Sequence, residues 1–87
     1  MDIRSVLGER LRRSRMRLGL NQTELAAQTG IPYQVISRLE HGHQSIYVER
    51  LVELASTLKV SLDYLVGQSD DPTPRKPQRT RHTAPVG

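Results

Sequence analysis

The sequence has no cysteine, phenylalanine or tryptophan, and its three tyrosines make up only 3% of the 87 residues. The lack of cysteine excludes a disulfide scaffold, thiol catalysis and a cysteine-ligated zinc site. No apolar run approaches the roughly 18 residues that cross a bilayer, and the N-terminus lacks the apolar core of a signal peptide. We therefore expect a cytoplasmic domain with a small core of aliphatic side chains.

Acidic residues are scarce relative to basic ones. Thirteen lysines and arginines outnumber nine aspartates and glutamates, which gives a net charge of +4, and eleven of the thirteen bases are arginine. A guanidinium group can form two parallel hydrogen bonds to a phosphate, so this composition favours a polyanionic partner. Because 87 residues leave room for one small domain, an enzyme with a deep cleft is not expected.

Residues 68–87 are poor in apolar side chains and contain four of the five prolines. Such a segment cannot bury enough apolar surface to offset its conformational entropy. We predict a folded domain over residues 1–67 and a flexible basic tail over residues 68–87. The tail holds four bases and two acids, which leaves nine bases and seven acids in the domain, so each part has a net charge of +2. The tail either adds non-specific, salt-sensitive attraction to nucleic acid or is a linker without a role.

Apolar residues at helical spacing predict five short helices, and no segment alternates for long enough to predict a strand. We expect an all-α fold with short loops. The apolar positions of the first three helices are Ile3, Leu7, Leu11, Leu18, Leu25, Ala26, Val35, Ile36 and Leu39. Those of the last two are Val48, Leu51, Leu54, Ala55, Leu58, Leu62, Leu65 and Val66.

Local signals mark where the helices begin and end. Asn21 and Glu24 form a predicted capping box at the start of the second helix. Pro32 opens the third helix, because its missing N–H would be unpaired there, and Ser61 caps the fifth. Four of the helices are followed by a glycine that ends them: Gly19, Gly30, Gly42 and Gly67.

The second and third helices, QTELAAQT and PYQVISRLEH, are separated by a short turn that contains Gly30. Two such helices joined by a three- or four-residue turn are the physical description of a helix-turn-helix motif. The small side chain of Ala26 lets the two helices approach at a steep angle. Gly30 tolerates the left-handed backbone that the turn favours.

Residues 4–67 resemble the phage-repressor-like, Xre/Cro-type helix-turn-helix DNA-binding domains. The resemblance runs through LRRSRMRLGLNQTELAAQTGI, VISRLEHG and LVELASTLKVSLDYLVG. It implies a compact five-helix, lambda-repressor-like fold that binds DNA, and no cofactor, metal or small-molecule ligand is expected. The sequence departs from the family pattern at Pro32, Ile46 and Tyr47, at the starts of the third and fourth helices.

The resemblance places the third helix in the major groove of double-stranded DNA, where base edges display a readable pattern of donors and acceptors. It turns four side chains outward toward the bases: Tyr33, Gln34, Ser37 and Arg38. A glutamine can bind adenine, and an arginine guanine, through two hydrogen bonds each. For Tyr33 the alternative is a ring that covers the edge of the core.

The predicted phosphate contacts surround this helix. They are Asn21 and Gln22 at the amino end of the second helix, His43 and Gln44 after the third, and Arg12 on the first. Arg12 belongs to a basic helix face that also contains Arg10, Arg13 and Arg17. The alternatives are helix capping, a solvated loop and a solvated charged face, respectively.

Arg15 falls within the apolar stripe of the first helix, where an unpaired guanidinium is costly. The resemblance pairs it with Glu40 at the end of the third helix. We therefore expect Arg15 and Glu40 to form a structural ion pair that fixes the third helix, and we assign neither of them to DNA contact.

The resemblance also implies a transcriptional regulator. We expect a repressor, encoded by a prokaryote or phage, that binds an inverted-repeat operator as a homodimer and is associated with the nucleoid. The predicted dimer interface is the last apolar surface of the domain: Leu62, Tyr64, Leu65 and Val66. The alternative is an antitoxin or accessory regulator that also binds a partner protein.

Catalysis and membrane binding are not expected. The candidate catalytic residues come without a Gly-rich phosphate loop or a metal-spaced cluster, and they are Ser37, His41, His43 and Asp63. The apolar stripe of the first helix is needed for the core, so it is not available to a membrane surface.

Overall fold

The computed structural model of the protein describes residues 2–74. These residues form five helices and no strand: α1 (Ile3–Arg17), α2 (Gln22–Thr29), α3 (Tyr33–Glu40), α4 (Val48–Leu58) and α5 (Leu62–Leu65). The all-α, five-helix prediction is therefore confirmed. Among the described helices, none combines the length and the apolar character needed to cross a membrane. The part of the predicted tail beyond residue 74 lies outside the described residues.

The helix ends follow the local signals in the sequence. At the start of α2 the Asn21 side chain accepts a hydrogen bond from the Glu24 N–H at 2.7 Å, and the Glu24 carboxylate accepts one from the Asn21 N–H at 2.8 Å. Gly30 ends α2 with a φ of +76°, a left-handed backbone that a Cβ would penalise. At α5 the Ser61 hydroxyl accepts a hydrogen bond from the Tyr64 N–H at 3.0 Å. These caps pair backbone groups that a helix end leaves free.

Pro32 precedes α3 and is not its first residue. Its backbone is extended (φ −57°, ψ 142°), and α3 begins at Tyr33. The Pro32 carbonyl nevertheless accepts the N–H of Ile36 at 3.1 Å, which makes Pro32 the N-cap residue. The prediction that Pro32 opens the helix is therefore wrong by one position, although the missing N–H costs nothing at either place.

The core is aliphatic, with one tyrosine at its edge. All five helices contribute fully buried side chains: Leu11, Leu25, Ile36, Leu39, Leu54, Leu58 and Leu65. Four of the apolar positions noted in the sequence are instead exposed, namely Ile3, Leu18, Val48 and Leu62. Ile3, Val48 and Leu62 are the first residues of their helices and Leu18 is the C-cap of α1, so each lies where a helix end leaves the packed interior.

α1 lies directly against the last turn of α3 at Gly8. A Cβ built on Gly8 would be 2.5 Å from the Leu39 carbonyl oxygen and 2.7 Å from that of Glu40, closer than a carbon atom can approach. Only glycine permits this contact, which holds the carboxyl end of α3 against α1.

Residues 68–74, which we call the strap, return to the helical body after α5. The Arg10 guanidinium donates to the Ser69 carbonyl at 2.6 Å and to Asp70 at 2.9 Å, and it lies over the Tyr64 ring at 4.4 Å. The Ser61 N–H donates to the Pro72 carbonyl at 3.0 Å. The hydrogen-bonded structure therefore continues past residue 67, where we placed the end of the folded domain.

Candidate nucleic-acid interface

α2, the turn at residues 30–32 and α3 form the helix-turn-helix unit. Thr29 holds the turn: its hydroxyl donates to the Leu25 carbonyl at 2.9 Å and accepts from the Ile31 N–H at 3.2 Å. Ile31 is itself buried in the core. The connection between the two helices is therefore fixed through both its backbone and its side chains.

α3 has one buried face and one exposed face. Ile36 and Leu39 point into the core and are at most 1% exposed. Residues three and four positions apart are neighbours on a helix surface, so the predicted base-reading residues lie together on the other face: Tyr33, Gln34, Ser37 and Arg38. All of them are exposed except Ser37, which is half-buried.

A buried ion pair fixes the carboxyl end of α3 to α1. Arg15 donates to the Glu40 carboxylate from Nε at 2.6 Å and from Nη2 at 3.0 Å, and from Nη1 to the Leu20 carbonyl at 2.8 Å. The Glu40 side chain is only 2% exposed. Its hydrogen bond raises the pKa of Arg15, an effect that burial partly opposes. The structure thus contains the ion pair that the resemblance implied.

Gln22 joins the same carboxylate from α2. Its Nε2 donates to Glu40 Oε1 at 3.0 Å, and the residue is half-buried. One of its two amide hydrogens is therefore taken by an internal contact, which the prediction of a phosphate ligand did not include. No local pattern links residues this far apart in the sequence, so the contact could be seen only in the structure.

The other predicted phosphate-contacting residues differ in their exposure and in the hydrogen bonds that they already make within the protein. Asn21 is exposed, but its side-chain oxygen Oδ1 accepts the Glu24 N–H in the capping box. The Arg12 side chain is exposed and makes no ion pair or hydrogen bond with any residue of 2–74. His43 is exposed in the loop after α3, and its N–H donates to the Arg38 carbonyl at 2.9 Å.

Gln44 lines a cavity of about 300 Å³ between α3 and the start of α4. The cavity is also lined by Tyr47 and Arg50, neither of which the sequence analysis assigned to DNA. Arg50 is half-buried in the first turn of α4. Its position three residues into a helix gave no sign that it would lie beside Gln44.

The remaining bases of the α1 face are less available than the sequence suggests. Arg10 is held by the strap, and Arg13 forms an ion pair with Glu9 at 2.8 Å. Arg17 makes one long hydrogen bond, to the Leu58 carbonyl at 3.5 Å. Of the four arginines on this face, Arg12 is therefore the one whose exposed guanidinium has no partner within residues 2–74.

The helix-turn-helix family model HTH_3 matches residues 11–65, more than half of the chain. The chain belongs to the HTH_3 helix-turn-helix family. This family is the Xre/Cro-like group that the sequence resembles. The family and the relatives of this chain are DNA-binding transcriptional regulators and not enzymes. The chain is accordingly a transcriptional regulator with a helix-turn-helix DNA-binding domain.

Two curated relatives support the assignment to HTH_3. The chain is 39% identical over 71 residues to the HTH-type transcriptional regulator y4dJ of Sinorhizobium fredii, an alignment that covers 82% of this chain and 92% of the relative. It is 35% identical over 69 residues to a transcriptional regulator in the ATPase CF(0) region of Rhodospirillum rubrum, covering 79% of this chain and 64% of that protein.

Solved structures show the same fold. The restriction-modification controller protein C.AhdI from Aeromonas hydrophila aligns with a TM-score of 0.68 and 27% identity, covering 71% of this chain and 94% of that one. The hypothetical transcription factor NHTF from Neisseria aligns with a TM-score of 0.72 and 31% identity, covering 75% and 73% of the two chains. The five helices therefore have the arrangement found in HTH_3 regulators.

The predicted dimer interface of this HTH_3 protein needs a correction. Tyr64 and Leu65 are 8% and 0% exposed, because their side chains complete the core of the same chain. Leu62 is 40% exposed and Val66 is half-buried. The exposed neighbour of Leu62 is Val52 of α4, and the two line a groove of about 320 Å³ together with Pro74 of the strap.

His41 and His43 lie close together just after α3 in this HTH_3 domain. Their ring centres are 5.9 Å apart, and His41 Nδ1 is 2.8 Å from the Ser37 carbonyl oxygen. Within residues 2–74 no group of three or more His, Cys, Asp or Glu side chains could hold a metal ion.

Proposed function

We propose that this regulator is a sequence-specific repressor that binds an inverted-repeat operator as a homodimer, with α3 in the major groove. The observation that carries the proposal is the exposed face of α3, where Tyr33, Gln34 and Arg38 project from a helix fixed at both ends. A rigid helix with exposed donors and acceptors is what reading base edges requires.

We assign the base-reading roles by chemistry and accessibility. Arg38 donates to guanine O6 and N7, and Gln34 exchanges hydrogen bonds with adenine N6 and N7, each worth about 1–3 kcal/mol of discrimination. Tyr33 packs on a thymine methyl group or donates to phosphate. Ser37 is half-buried, so its short hydroxyl reaches only a base that comes close to the helix.

Phosphate contacts then fix the orientation of α3 without reading sequence. We assign them to the exposed Arg12 and His43 and to Gln44, which lies beside Arg50. Asn21 and Gln22 keep side-chain N–H groups for the same purpose at the amino end of α2. The cationic contact of Arg12 releases counterions from DNA, so binding should weaken with salt by a log-log slope of about −0.9 for each phosphate that a cationic side chain neutralises.

A homodimer is supported by the exposed apolar groove on α4 and α5. Val52 and Leu62 are 48% and 40% exposed, and a two-fold contact between two such grooves would cover both. The symmetry of the dimer would place two α3 helices in successive major grooves, about one helical turn apart. Repression follows by occlusion of the promoter, on the nucleoid of a prokaryotic cytoplasm.

Selection of bound sequences from random duplex DNA tests the proposal. We expect enrichment of an inverted repeat whose half-site centres are about 10 base pairs apart. The doubly substituted Gln34→Ala/Arg38→Ala variant is the control, because both side chains are exposed and the domain should stay folded while the enrichment disappears. Enrichment of nothing, or of the same sequence by the control variant, would contradict the proposal.

A further inference from the structure

We propose that Gln22 is a positioning residue that sets the angle between α2 and α3, and thereby the fit of α3 to its operator. The inference rests on the proposed role of α3 as the DNA-reading helix. It gives Gln22 a role inside the protein that a side chain acting only as a phosphate ligand would not have.

Three donors crowd one buried carboxylate, that of Glu40. Glu40 accepts hydrogen bonds from Arg15 Nε at 2.6 Å, from Arg15 Nη2 at 3.0 Å and from Gln22 Nε2 at 3.0 Å. The Glu40 side chain is 2% exposed, so solvent does not replace a lost donor. Hydrogen bonds to a charged group are stronger than neutral ones, and each donor lost here leaves part of a buried charge unpaired.

The contact between Gln22 and Glu40 lies at the end of the helix pair opposite the turn. The turn at residues 30–32 joins the carboxyl end of α2 to the amino end of α3. The bond from Gln22 to Glu40 joins the two opposite ends. Two helices held at one end can swing about the turn, whereas two helices held at both ends keep one crossing angle.

Gln22 is itself well anchored at the capped start of α2. It is the first residue of α2 and follows Asn21, whose capping box with Glu24 closes with hydrogen bonds of 2.7 and 2.8 Å. Glu40 is fixed from the other side by Arg15 of α1. Gln22 therefore connects two rigid points, and a change in its length or hydrogen bonding is passed to α3 and not absorbed by a flexible end.

The test is Gln22→Met, which keeps the length of the side chain and removes the donor, with Gln28→Met on the exposed surface of α2 as the matched control. Affinity is measured for the selected operator and for an unrelated duplex over a range of salt concentrations. We expect Gln22→Met to bind the operator about ten-fold more weakly and the unrelated duplex less than about two-fold more weakly. Gln28→Met should leave the ratio of the two affinities unchanged.

An equal loss on both duplexes, with an unchanged salt slope because glutamine and methionine are both uncharged, would show that Gln22 is a phosphate ligand only and would overturn the inference. No loss on either duplex would overturn it as well. A second measurement needs no DNA: the side-chain amide hydrogens of Gln22 should exchange with solvent more slowly than those of Gln28 by NMR. Equal exchange rates would refute the Gln22 contact whether or not an operator is found, and the absence of any selected operator would instead refute the proposed function.

Discussion

Arg10 and Arg15 lie on the same helix and are both mostly buried, at 19% and 12% exposed, and each forms an ion pair with a carboxylate that is distant in sequence, but the surroundings of the two carboxylates are opposite. Arg15 meets Glu40 at 2.6 Å, and the Glu40 side chain is 2% exposed. Arg10 meets Asp70 at 2.9 Å, and the Asp70 side chain is 98% exposed. The distances are similar, so the consequences of breaking the two pairs should differ because of burial and not because of geometry.

The two sites also differ in what they hold. Arg15 and Glu40 fix the reading helix, and Gln22 completes the set of donors to the Glu40 carboxylate. Arg10 holds the strap, and most of the contacts of Arg10 are independent of Asp70. The guanidinium also donates to the backbone carbonyls of Tyr64 and Ser69 and lies over the Tyr64 ring. The α3 side of the molecule therefore depends on charge pairing, and the strap side depends on backbone hydrogen bonds and stacking.

Breaking the buried pair should have the largest effect. Glu40→Gln removes the negative charge and leaves the Arg15 guanidinium, 12% exposed, without a counter-ion, which should lower the free energy of unfolding by about 3 kcal/mol. Urea denaturation measures the change. Glu53→Gln on the exposed surface of α4 is the control and should be close to neutral. An unchanged midpoint for Glu40→Gln would show that the pair does not fix α3.

Gly8→Ala tests the same side of the molecule without touching a charge. The added methyl group meets the Leu39 and Glu40 carbonyl oxygens, so α1 and α3 must separate, at an expected cost of about 1–3 kcal/mol. Helix propensity alone would favour alanine by about 1 kcal/mol, so any net loss in denaturation measures the close approach. A stabilised Gly8→Ala variant would contradict the packing of α1 on α3.

Breaking the exposed pair should have a small effect that salt removes. Asp70→Asn should cost less than about 1 kcal/mol at low ionic strength, and the difference from the unsubstituted protein should vanish at 1 M salt, where the Debye length is about 3 Å. The same denaturation experiment at two salt concentrations checks it. A loss as large as that of Glu40→Gln would mean that burial does not separate the two sites.

The smallest effect on stability is expected when acid protonates the Asp71 carboxylate in the strap. The Thr73 N–H donates to the Asp71 carboxylate at 2.9 Å and lowers the pKa of Asp71 below its ordinary value of 3.8. A carboxyl group whose pKa is lowered by folding contributes stability above its ordinary pKa and loses that contribution as the pH falls through the folded value. An NMR titration of Asp71 should have its midpoint below 3.8, and a midpoint above 3.8 would contradict the contact.

The parts of the fold that could be predicted from the sequence are those with a local cause. The capping box of Asn21 and Glu24 spans three residues, and Gly30 ends its helix through its own backbone. The contacts that could not be predicted join distant residues: Gly8 to α3, Arg10 to the strap and Gln22 to Glu40. Arg15 and Glu40 were found only because the resemblance pairs them.

Tyr64 and Leu65 show a second limit. An apolar residue on a short helix has the same pattern whether it faces its own core or a partner subunit, and both side chains prove to be needed by the core. The exposed residues Val52 and Leu62 could be separated from them only by measuring burial in the structure. The exposed face of α3 could, by contrast, be predicted, because Ile36 and Leu39 form a clear buried side opposite it.

We propose that the side chains on the exposed face of α3 read DNA bases. Repeating the selection from random duplex DNA with Arg38→Ala tests this proposal, with Arg13→Ala on α1 as the matched loss of one exposed arginine. We predict that Arg38→Ala loses the base preference at one position of each half-site and keeps the others, whereas Arg13→Ala keeps every preference. An Arg38→Ala variant that selects the unchanged operator would contradict the proposal.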